Sequence, residues 1–130
     1  MGLRSRFFSL VLMRIPRKPD GYGISTRATI VRVVDGDTFE CEWFGRSVKI
    51  RLLGCWVLDG SVADENAADY LRQFVGSPIA VWIPTDEATS VFDLLTFDRV
   101  LAWCWAAGEE ESINESIVRM GWGTTEKLKK

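Results

Sequence analysis

A chain of 130 residues with 47% apolar and 26% charged side chains has the size and balance of one globular domain. It contains no histidine. That removes the usual imidazole base and the commonest metal ligand, so a metal held by the remaining carboxylates and carbonyls would be a hard cation, Ca²⁺ or Mg²⁺.

The net charge of −2 hides a split. Residues 1–27 carry Arg4, Arg6, Arg14, Arg17, Lys18 and Arg27 against Asp20 alone, while the rest of the chain is acidic. An acidic body argues against a broad polyanion-binding face but is compatible with a small cationic site. Cys41, Cys55 and Cys104 lie apart in apolar runs with no C-x-x-C spacing, which points to buried, inert thiols rather than a zinc or disulfide framework.

The chain opens with the apolar run "FFSLVLM" at 7–13, too short to span a bilayer. Arg4 and Arg6 precede it as in a secretory leader, but Arg14 follows at once and no small-residue cleavage site comes next. This favours a cytoplasmic chain over a secreted one without deciding the compartment. Residues 1–27 read as a basic extension whose apolar patch packs on the body or on a protein partner. Their last part, "RKPDGYG" at 17–23, reads as a linker.

The body is expected to begin at Ala28. "ATIVRVV" is β-branched and predicts a strand ending at the Asp35-Gly36 turn. In "TFECEWFGRSVKIRLL" (38–53), Phe39, Cys41 and Trp43 alternate with polar residues, as do Val48, Ile50 and Leu52. Phe44-Gly45 between them predicts a tight hairpin pairing Trp43 with Arg46, Glu40 with Lys49 and Thr38 with Arg51. "SVADENAADYLRQFVG" (61–76) has helical spacing, Ser61 as its cap, Asp64 as a capping-box partner and Gly76 as its stop. "IAVWI" (79–83) predicts a strand and residues 84–98 a long acidic loop. "VLAWCWA" (100–106) predicts a last strand, and "SINESIVRMGW" (112–122) a helix with a Ser112/Glu115 capping box. Residues 28–123 thus form the domain and 124–130 a basic tail. Three strands, a helix, two strands and a helix suit a small closed barrel plugged by a helix.

Taken in order, "DGDT" (35–38), "RLLG" (51–54), "ENAADYLRQFV" (65–75), "DRVLAW" (98–103) and "INESIVRMGW" (113–122) resemble the motifs of the staphylococcal-nuclease-like domains. The resemblance covers about residues 28–123. It implies a mainly β fold with two helices, a five-stranded OB-type barrel, and Ca²⁺-dependent hydrolysis of phosphodiester bonds in nucleic acid. Carried over by position, Asp37 matches a metal-ligand carboxylate, with Asp35 just behind it. Arg51 and Arg99 match the pair that grips the scissile phosphate, and Asp59 stands where the family has its presumed general base, a Glu. Thr38 and Phe97 are the candidate substrate contacts. Two guanidiniums and a divalent cation would neutralise the oxygens of a phosphodiester under attack, and a carboxylate could take the proton of the attacking water.

The sequence departs from the family in "GCWVLD" (54–59). Trp56 stands at the second metal-ligand position, and an indole has no oxygen to offer a hard cation. Leu58 replaces the proline that stiffens this turn. Asp59 is shorter than Glu by ~1 Å, and near-attack geometry tolerates little of that. Asp98 replaces the glycine before Arg99. Three readings of the carboxylates therefore stay open: turn and strand-edge residues with no metal, a weakened site of Asp37, Asp59 and Asp35, or full catalysis. Outside a site, Arg51 would pair with Thr38 and diagonally with Glu40, and Arg99 with Asp93 or Asp98. Trp43, Trp82, Trp103 and Trp105 alternate on strands, so they serve either packing or base stacking. These features expect a nuclease-like domain with activity weakened or lost, or a non-catalytic barrel binding nucleic acid or protein.

Overall fold

The computed structural model describes residues 20–87, 90–94 and 99–126. Its main element is a sheet of five strands: β1 (Gly23–Asp35), β2 (Thr38–Trp43), β3 (Arg46–Leu52), β4 (Pro78–Pro84) and β5 (Arg99–Ala106). The sheet closes into a ring in the order β1-β2-β3-β5-β4. Helix α1 (Val62–Arg72) joins β3 to β4, the single turn α2 (Val91–Leu94) lies between β4 and β5, and α3 (Ile113–Arg119) follows β5. Among the described residues no helix is long and apolar enough to cross a membrane. Most of the basic extension and the last tail residues, 127–130, lie outside the described residues.

Closure depends on the length of β1. Its first half, Gly23–Thr29, pairs antiparallel with β4, and its second half, Thr29–Asp35, with β2. Register shifts at Ile30/Arg32 and Val33/Asp35 interrupt the β1–β2 ladder, and such bulges bend a strand and raise its twist. One strand can therefore serve two sides of a tight ring. The remaining seam is the parallel pairing of β3 with β5, from Lys49↔Arg99 to Leu52↔Ala102.

The β2–β3 hairpin has the expected register, with Thr38↔Arg51, Glu40↔Lys49 and Trp43↔Arg46. Phe44 and Gly45 both take positive φ, 52° and 74°, the backbone that a tight two-residue loop demands. Both helix caps form: Ser61 Oγ accepts the Asp64 N–H at 3.0 Å, and Ser112 with Glu115 makes a full capping box. Phe39, Ile50, Leu52, Ala102 and Cys104 fill the ring, and Ala67 and Leu71 of α1 with Ile113 and Ile117 of α3 complete the core. All three cysteines are free and buried, and burial pushes the Cys41 and Cys55 thiols up to about 12, as inert thiols require.

Some boundaries differ from expectation. β1 starts at Gly23 rather than Ala28, so Arg27 and part of the presumed linker belong to the sheet. The strand needs glycine at 23, because a Cβ there would lie 2.3 Å from the Trp82 ring. Helix α1 ends at Arg72, and turns carry the chain on to Gly76. Thr124, expected in a solvated tail, forms a β-bridge with Trp56.

A candidate phosphate-binding cleft

Asp35 and Asp37 leave β1 in a turn that the start of α1 clamps. Asp35 accepts the Asp37 N–H at 3.1 Å. The Gly36 N–H donates to Asp64 Oδ1 at 2.7 Å, and a Cβ on Gly36 would fall 2.6 Å from that oxygen, so only glycine fits beneath the helix. Asp64 Oδ2 accepts the Gly60 N–H at 3.0 Å. Expected to close a capping box on Ser61, the Asp64 carboxylate instead staples the Asp35–Asp37 turn to the loop after β3. Ser61 N–H turns to the Leu58 carbonyl.

Asp37 is buried, 7% exposed. Its Oδ1 accepts the Thr38 hydroxyl at 2.9 Å and its Oδ2 accepts Arg51 Nη2 at 3.3 Å. The Arg51 guanidinium carbon lies 4.3 Å from the Trp56 ring centroid, a cation–π contact. Arg51 therefore faces Thr38 across the strands, but its charge goes to Asp37 and not to Glu40. Glu40 is held by Arg32 at 3.1 Å and Ser47 at 2.9 Å. Burial is the main force on the Asp37 carboxyl. Together with the neighbouring Asp35 it outweighs Thr38 and Arg51, and the carboxyl is pushed up to about 6.

A direct consequence is an inverted pH response. The Asp37 carboxyl titrates near 3.8 ordinarily and near 6 in the fold, so folding takes up a proton between these values. Its contribution to stability is full below pH 3.8 and is lost as pH rises through 6. From this group alone the domain should lose on the order of 2 kcal/mol between about pH 4 and about pH 7. Asp37→Asn should remove that slope. Urea denaturation of both proteins at the two pH values checks this, and equal slopes would refute it.

The loop 53–61 is tied to the end of the described chain by two backbone hydrogen bonds. Trp56 N–H donates to the Thr124 carbonyl at 2.7 Å, and Thr124 N–H returns to the Trp56 carbonyl at 3.0 Å. Gly54 takes φ 70° against the Trp103 ring. The loop, the turn and β3 and β5 together enclose a cleft of about 470 Å³. Asp35, Asp37, Thr38, Arg51, Asp59 and Arg99 all line it, with Lys49 and Trp56. Asp59 and Arg99 are exposed on its walls. A smaller cleft of about 260 Å³ adjoins it and shares Lys49 and Arg99, partners in the parallel β3–β5 register.

Thr38 reaches the cleft, though its hydroxyl is spent on Asp37. Phe97 and Asp98 lie outside the described residues. Asp93 accepts the Ser90 N–H at 2.8 Å at the start of α2. Sequence reasoning gave Lys49 no role beyond a charged strand position, although its alternation with Arg51 on β3 already placed both on the outer face. Of the tryptophans, Trp56 lines the cleft. Trp43 is buried and donates to Thr26 at 2.9 Å, while Trp82 and Trp105 are buried with Trp103 packed against them. These four are packing residues.

The acids at the turn are in part committed to the protein. Asp37 has both oxygens engaged by the protein, Asp64 likewise, and position 56 offers an indole. Among the described residues no three His, Cys, Asp or Glu side chains converge as a metal site. No family model matches the chain, and no curated protein matches it.

Proposed function

We propose that this chain is a staphylococcal-nuclease-like domain on an OB-type barrel. Its cleft holds the phosphodiester backbone of a nucleic acid, with hydrolysis weakened or lost. The observation that carries the reading is convergence. Asp37, Arg51, Asp59 and Arg99 come from four separate parts of the chain, and all four line one cleft. They are the positions that the ordered motif resemblance assigns to the family's site.

The chemistry of the cleft fits an anion of that kind. Arg51, Lys49 and Arg99 bring three cations to a cleft that also holds Asp35, Asp37 and Asp59, and guanidiniums can bind phosphate oxygens two at a time. Asp59, on the wall of the same cleft, is placed to orient water. The losses follow from the departures: Trp56 cannot ligate a metal, and Asp59 is short for a general base. The rival reading, a barrel that binds without catalysis, draws its support from Arg51, whose charge is already shared with Asp37 and Trp56.

One substitution separates the two. In a weak enzyme Asp59→Ala should lower turnover by orders of magnitude, since base function is exercised mainly in the transition state. In a binder it should leave affinity for single-stranded DNA unchanged or tighter, because it removes a negative charge beside cations. In either case Arg99→Ala should weaken DNA binding about tenfold, the loss expected of one phosphate contact. Digestion of labelled DNA and RNA with Ca²⁺, run beside anisotropy titrations, reads both. Unchanged binding after Arg51→Ala and Arg99→Ala together would refute the assignment of the cleft.

A further inference from the structure

A phosphodiester site that relies on a divalent cation needs carboxylates with free oxygens. Around this cleft several of those oxygens are engaged from within the chain, while Asp59 stands exposed on its wall. Asp37 takes Thr38 and Arg51, Asp64 takes the N–H groups of Gly36 and Gly60, and Asp35 takes the N–H of Asp37. Asp35, Asp37 and Asp64 thus serve as structural acceptors around the turn and the loop, and the position between them and Asp59 is taken by the Trp56 indole, which offers no oxygen.

Arg51 is held from two directions. Asp37 Oδ2 is 3.3 Å from Nη2, and the Trp56 ring lies under the guanidinium at 4.3 Å. Its side chain is 14% exposed, so it is sheltered yet open to the cleft. Two backbone hydrogen bonds fasten the Trp56 main chain to Thr124 and so fix the point from which the ring extends. A guanidinium has five donors in a planar fork, so one contact to Asp37 leaves donors for another anion.

From this geometry we infer that the cleft binds phosphodiesters without a divalent cation, with Trp56 acting as the positioning residue that holds Arg51 toward the ligand. Trp56 is thus a replacement for metal dependence and not merely a lost ligand. A ligand phosphate would be met by Arg51 from the floor and by Lys49 and Arg99 from the rim. This inference rests on reading the cleft as a phosphodiester site, and the two fail differently.

The experiment is an anisotropy titration of the full chain with labelled oligothymidylate at low salt, in EDTA and in millimolar Ca²⁺. The expected result is the same affinity in both buffers, within about twofold when allowance is made for screening by the added salt. Trp56→Ala should weaken binding about tenfold in EDTA, the value of a sheltered cation–π contact, and Trp56→Phe should recover most of it. Trp56→Asp should make binding depend on Ca²⁺. Binding by the wild-type chain that EDTA abolishes would overturn the inference and leave the cleft assignment standing. Binding in neither buffer would overturn both. Trp56→Ala binding as tightly as wild type would remove the positioning role.

Discussion

Asn114→Ala should cost the domain roughly 3 kcal/mol, more than any single surface change. Asn114 is fully buried at the start of α3, where its Nδ2 donates to the carbonyls of Leu53 at 2.6 Å and Ala102 at 3.0 Å. Its Oδ1 accepts the Cys104 N–H at 3.0 Å. Alanine would leave buried backbone groups of the loop and of β5 without partners, and it would open a small void. The loss corresponds to a melting midpoint lower by about 10 °C for a domain of this size. Asn114→Asp keeps the acceptor but removes the donors and adds a buried charge, so it should be at least as damaging. Calorimetry of both variants checks the ranking. A midpoint within a degree or two of wild type for Asn114→Ala would show that the contacts are not worth what their burial implies.

The second large effect is a gain. Trp56→Asp, Leu58→Pro and Asp59→Glu together should give a protein that cleaves single-stranded DNA in Ca²⁺ at least ~10-fold faster than wild type. The first change offers oxygens where the indole now stands. The second stiffens the turn, and the third extends the base toward the cleft. Calorimetric titration with Ca²⁺ and a cleavage assay test the two halves separately. A folded triple variant with neither metal binding nor cleavage would mean that "GCWVLD" does not occupy the family's site.

The parts of this fold legible in the sequence are those governed by near neighbours. Alternation over residues 38–53 and the glycine at 45 set the hairpin register, because a slip by one residue would turn Phe39, Cys41, Ile50 and Leu52 to solvent. The Ser61 and Ser112 caps were legible for the same reason: donor and acceptor are three residues apart. The start of β1 was hidden because "GIST" pairs through its backbone, and the reason for glycine at 23 is a Trp82 ring far along the chain. Glu40 stands opposite Lys49 as expected, but its ion pair with Arg32 was not legible because Arg32 meets it only through a β1 register that bulges have shifted.

In the cleft, motif order placed Asp37, Arg51, Asp59 and Arg99 together, and the structure puts all four on its walls. The sequence also exposed Trp56 as a substitution, but only as something missing. Its contact with Arg51 joins a loop to a strand, and no spacing rule encodes it. Asp64 shows the same limit: read as a helix cap, it ties together two loops that lie on either side of the hairpin.

The parallel seam between β3 and β5 bears on how the protein is made. The β1–β2 and β2–β3 pairs can form as soon as the hairpin leaves the ribosome, but this one must wait for β5, and Asn114 then bonds to Leu53 across 61 residues of chain. Until β5 has emerged, a nascent chain would hold β1, β2 and β3 as an open meander with the free edge of β3 uncovered. Thr124 locks the Trp56 loop later still. Completion of the cleft is therefore a late step in making this domain, and a nascent chain from which Arg99–Ala106 has not emerged would present an unfinished edge in its place.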